Sequence, residues 1–196
     1  MHTPKKGMVI NMKQKDHLIL ARYLLERNPE AFRGEIWKRA FLWGNFIPDY
    51  LFFTYLRGFR KSGRMIGHNL PYSESRMHRL TNRLLATGLR SARDCFRLGL
   101  LMHYLADSFT FPHTEHFNGS RRDHNRYEKD LCTVFPTVLA QTRNPSSTPS
   151  LTLGPRDLIR AERKIYRKES PSVRTDALWI IRVCEKVFDA ICAVKR

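Results

Sequence analysis

The chain has 196 residues, 42% of them hydrophobic, with only 10 glycines and 10 prolines, a composition that predicts one all-α domain with a sizeable core. No stretch approaches the ~20 uninterrupted apolar residues of a membrane-crossing helix, so no transmembrane helix is expected. A net charge of +17 and a sequence pI near 10.3 attract polyanions, whether nucleic acid, anionic lipid or a phosphate-bearing substrate, without choosing among them.

Residues 1–13 read as a loose basic tail, and residues 14–196 as a single helical domain. The N-terminus lacks the apolar run of a signal peptide, so a cytoplasmic location is expected. Asp16 fits the N-cap of a helix from His17 to Arg27, whose apolar face is Leu18, Ile19, Ala21, Leu24 and Leu25. His17 in its first turn, taken alone, reads as a capping or surface residue more often than as a ligand. A second helix covers about Gly34 to Leu42, and Pro48 in GNFIPDY is expected to break the helical period so that Asp49 starts a new apolar segment. Asp49 fits an N-cap there, a role compatible with ligating a metal. The loop KSGRMIGHNLPYS carries His68 between a glycine and an asparagine, where loops on a rigid scaffold place binding chemistry.

Ser73 is expected to start a helix to Leu89, and Ser91 to cap a central helix over Ala92–Ser108 that is apolar nearly all round and therefore buried. Asp123 is the expected cap of the next helix, which reaches about Phe135, with Pro136 kinking or ending it. A Pro/Ser/Thr loop at 142–155 precedes two more helices, 156–168 and 173–194, with apolar core stripes. Cys95, Cys132, Cys184 and Cys192 form no CxxC and read as reduced thiols.

The stretch LGLLMHYLADSFTFPHTEHFNGSRRDHNRYE carries the chemistry. His103 and Asp107 are four apart, as are His124 and Glu128. On a helix such pairs stack on one face about 5–6 Å apart, the bite of one metal ion. His113 lies between the pairs, after Pro112. Imidazoles with carboxylates suit zinc and leave room for water in the coordination shell. Buried charge must be paired or ligated, so His103 and Asp107 face either a metal or each other across a hydrogen bond in a dry core.

With those residues in place, the sequence resembles the zinc-dependent phospholipase C family, all-α enzymes with three zinc ions in a cleft. Three passages carry the likeness, over roughly residues 14–135: DHLILARYLL, then GNFIPDY with GHNLPYS, then LGLLMHYLADSFTFPH…H…YE. The resemblance implies one zinc held by Asp49, His68, His103 and Asp107, and a second held by His113, His124 and Glu128. A third would use His17 and share Asp107. In secreted relatives the processed N-terminal residue completes that third site, and this chain departs from the pattern with an extra basic tail. Tyr50 matches an aromatic residue of the family's head-group pocket.

Two or three zinc ions a few Å apart would clamp a phosphodiester and acidify a bound water to a pKa of about 7, with Asp49 orienting or deprotonating it. The expected activity is hydrolysis of phospholipid to diacylglycerol and a phosphorylated head group. The rival readings are a single-strand nuclease of the same superfamily, which the positive charge suits, and a non-catalytic metal-binding protein at an anionic membrane surface.

Overall fold

The computed structural model describes residues 12–50, 70–142 and 153–194, except for the side chains of residues 12–14, 49–50 and 70–72. Seven α-helices and no strands occur among the described residues. They are α1 (Met12–Arg27), α2 (Glu35–Tyr50), α3 (Leu70–Thr87), α4 (Ala92–Ser108), α5 (Arg121–Thr142), α6 (Pro155–Tyr166) and α7 (Val173–Cys192), with short 3-10 turns at Pro29–Ala31 and Phe111–His113.

The central helix is α4, as its pattern predicts. Ser91 caps it, with its hydroxyl accepting from the Asp94 amide at 3.2 Å. Leu98, Leu101, Met102, His103 and Leu105 are fully enclosed. Its closest partner is α2. A Cβ on Gly99 would sit 2.2 Å from the Phe41 carbonyl oxygen, and one on Gly44 would sit 2.2 Å from that of Phe96. Only two glycines facing each other let the backbones approach so closely.

Around this pair, α1 and α7 are joined by a polar staple. Arg27 donates to Asp189 at 2.7 Å, Asn28 donates to Asp189 at 2.6 Å, and Tyr23 donates to Glu185. Phe32, Phe41 and Phe188 meet beside it, with ring centroids 5.4–6.2 Å apart. At the other end, Phe109, Tyr166 and Trp179 pack together. The α1 and α5 helices close one side of the core, while α3 and α6 cover another flank of α4 and α7.

Several boundaries differ from the sequence expectations. Helix α1 already begins at Met12, so Asp16 is interior rather than a cap. Helix α2 runs through Pro48 to Tyr50, because a helix late in its course tolerates the loss of one N–H donor when it is held by packing. Helix α3 starts at Leu70, three residues before Ser73, and ends at Gly88, whose φ of +60° stops it. Ser120, not Asp123, caps α5. The Ser120 hydroxyl accepts from the Asp123 amide, and Asp123 reaches back to the Ser120 amide at 2.9 Å, a capping box. Helix α5 also continues past Pro136 to Thr142.

Candidate metal centre

Two clusters of imidazole and carboxylate gather where α1, α4, α5 and the Phe111–His113 turn meet: His17 with His103 and Asp107, and His113 with His124 and Glu128. In each, one potential ligand atom per residue lies within 4.8 Å of the others. His17 and Asp107 of the first and His113 and Glu128 of the second line one cleft, together with the apolar Leu20, Leu131, Phe135 and Ile180.

In the first cluster His103 is fully buried, and its Nδ1 lies 2.8 Å from the Asn45 carbonyl oxygen on α2. A carbonyl can only accept, so Nδ1 carries the proton and donates. In the neutral ring the lone pair is then on Nε2, which faces Asp107 Oδ2 at 3.3 Å. His17 Nε2 faces the other oxygen, Oδ1, also at 3.3 Å. The two rings stack with centroids 4.0 Å apart. Lone pairs aimed at one another across a buried space repel unless a proton or a cation lies between them. Two imidazoles sharing a carboxylate, one oriented by a backbone carbonyl behind it, therefore form a donor set that fits zinc. Burial pushes the Asp107 carboxyl up, but the neighbouring His103, His113 and His17, once protonated, overcome this and hold it well below the usual carboxylate range.

The second cluster turns on one atom. Glu128 Oε1 lies 3.2 Å from His113 Nε2 and 2.8 Å from His124 Nε2. The two rings meet edge to face, 5.0 Å apart. Helix α5 supplies His124 and Glu128 one turn apart, and the turn after Pro112 swings His113 over them. The clusters are neighbours, since His17, Asp107, His113 and Glu128 line the same cleft.

Thus six of the eight metal ligands expected from the sequence, His17, His103, Asp107, His113, His124 and Glu128, come together in two groups. His68 lies outside the described residues, as do the side chains of Asp49 and Tyr50. His17 joins His103 and Asp107 directly. Three further residues contribute beyond those expected from the sequence. Asp16 lines the same cleft, hydrogen-bonded by the Cys132 thiol, and burial raises its carboxyl. Cys132 was detectable as the next residue of the His124–Glu128 stripe, four positions on. The Asn45 carbonyl was not, because every residue has one.

A family model, zinc dependent phospholipase C, matches residues 16–192. The chain belongs to the zinc-dependent phospholipase C family and is a metal-dependent phosphodiesterase that hydrolyses phospholipid. The match extends through α6 and α7, beyond the 14–135 span in which the likeness is legible by eye. No curated protein and no solved structure matches the chain.

Proposed function

We propose that the two clusters are the metal-holding part of a phospholipase C active site, releasing diacylglycerol and a phosphorylated head group. The observation that carries this reading is the pair of three-residue donor sets on one cleft, each made of two imidazoles and one carboxylate. His103 and Asp107 would hold one zinc, completed by Asp49 and His68 as the family resemblance implies; His17 would share Asp107 with it at a further position, and His113, His124 and Glu128 would hold another. Bound there, zinc would neutralise phosphate charge and lower the pKa of water.

The chain's own residues prepare the site. The Asn45 carbonyl fixes the His103 tautomer and aims Nε2 at Asp107. Asp107 offers one oxygen to each imidazole, so it can serve two positions at once. The apolar floor limits competing water and strengthens electrostatic attraction for a phosphodiester. Asp49 is the residue assigned to orient the attacking water, and Tyr50 the head group.

Peripheral contact with an anionic membrane belongs to the same reading. Ile36, Arg39 and Trp43 are exposed along one stripe of α2, and the net charge is +17. Tryptophan beside basic residues suits the bilayer interface.

Head-group release from mixed phosphatidylcholine and phosphatidylserine vesicles, assayed beside cleavage of single-stranded DNA, tests the proposal. Release that is lost on chelation and restored by zinc is expected, with DNA left intact. DNA cleavage without head-group release would assign the site to nucleic acid instead.

A further inference from the structure

A carboxylate outside both clusters ties the second one together. Asp176, in the first turn of α7, has no exposed surface. Its Oδ2 accepts from the Phe111 backbone amide at 2.8 Å and from the Tyr127 hydroxyl at 2.8 Å. Its Oδ1 accepts from the Tyr166 hydroxyl on α6 at 2.8 Å. Phe111 opens the short turn that ends at His113. Tyr127 immediately precedes Glu128 on α5. One oxygen atom therefore joins the two segments whose imidazoles and carboxylate converge on Glu128 Oε1.

Each contact has a physical reason. The first N–H of a 3-10 turn has no partner within the turn, and Asp176 satisfies it. Neighbouring residues on a helix point about 100° apart, so Tyr127 can turn toward α7 while Glu128 turns toward His113. A carboxylate that accepts three strong donors in a dry core resists displacement, because any lost contact leaves a buried polar atom unmatched.

We infer that Asp176 is the positioning residue of the His113–His124–Glu128 cluster, setting the distance between the turn bearing His113 and the helix bearing His124 and Glu128. Its hydrogen bonds go to none of the three; it acts through Phe111 and Tyr127. The inference rests on the reading that this cluster holds a cation. Outer groups that orient metal ligands change metal affinity about 10–100-fold when removed.

Zinc titration of the metal-stripped full chain against a chromophoric chelator tests it, with wild type, Asp176→Asn, Tyr127→Phe and Glu128→Gln in parallel. Wild type is expected to bind at least two zinc ions. Tyr127→Phe, which keeps the ring and loses a single hydroxyl, should weaken one of them about tenfold. Asp176→Asn should weaken the same ion further, and Glu128→Gln identifies it. The other ion should bind as in wild type. Two zinc ions bound with unchanged affinity by folded Tyr127→Phe would overturn the positioning role and leave the cluster's cation reading standing. Both affinities falling together with the melting temperature would overturn it too, as a purely structural effect. A wild-type chain with no zinc that responds to Glu128→Gln would overturn the cation reading itself. Should Asp176→Asn fail to fold, Tyr127→Phe alone decides.

Discussion

At the scale of single residues, the chain uses carboxylates in three distinct ways. Asp107 is anionic and shared, Asp176 is a buried acceptor, and Asp94 anchors the start of the central helix. Asp94 accepts from the Ser91 hydroxyl at 2.7 Å and from Arg97 at 2.8 Å. Burial works against its ionised form, but these partners prevail and its pKa is lowered. A carboxyl with a folded pKa below its unfolded one adds stability above the unfolded value, about 3.9, and loses it as pH falls through the folded value. Asp94→Asn should therefore be less stable than wild type at pH 6, with the difference in urea midpoint shrinking as the pH is lowered below 4. A constant difference across that range would mean that charge plays no part there.

The same scale shows what the sequence reveals and what it hides. His103 with Asp107, and His124 with Glu128, were legible because a spacing of four has one meaning on a helix. Grouping His17 with His103 required the family resemblance, since no local spacing links residues 86 positions apart. Asp16 resembles a cap because it stands before an apolar run, and the preceding turn of α1 is too polar to announce itself. Asp176 was invisible as well, since its partners Phe111, Tyr127 and Tyr166 come from three other elements.

At the scale of elements, the glycine contact between α2 and α4 determines how close Asn45 stands to His103. Gly99→Ala would place a methyl 2.2 Å from the Phe41 carbonyl, and neither backbone has a flexible end that can yield. The helices must separate, at a cost of about 3 kcal/mol, the upper part of the overpacking range. For a chain this long that lowers the melting temperature by roughly 6–12 °C. The separation should also weaken the Asn45 to His103 hydrogen bond, and zinc affinity with it. Calorimetry and zinc titration of Gly99→Ala measure both; a variant melting within 1 °C of wild type would contradict so close a crossing. Helix identity was legible from apolar periodicity, and so were both ends of α4 and the start of α7, whereas the end of α2 and the starts of α1 and α3 were not. Pro48 and Pro136 both read as breakers, yet α2 and α5 pass through them because tertiary packing outweighs one missing donor.

At the scale of the whole molecule, the proposed membrane contact rests on the charge and the exposed stripe of α2. No helix among the described residues is long and apolar enough to cross a membrane. Near an anionic bilayer each basic residue contributes about 1 kcal/mol, and salt screens that attraction within a Debye length. Trp43→Ala should weaken binding to phosphatidylserine-containing vesicles in a sedimentation assay, and 0.5 M salt should weaken it in both proteins. Equal binding by wild type and Trp43→Ala would remove α2 from the contact.

The fold brings residues from α1, α4, α5 and a short turn to one cleft, and the proposed function makes the phosphodiesterase chemistry depend on cations held there. Elemental analysis of the purified chain addresses this most directly. At least two zinc ions per wild-type chain are expected, with fewer in Asp107→Ala and no remaining head-group release. A wild-type chain carrying less than one zinc after purification in its presence, or an Asp107→Ala variant with undiminished zinc content, would contradict the account.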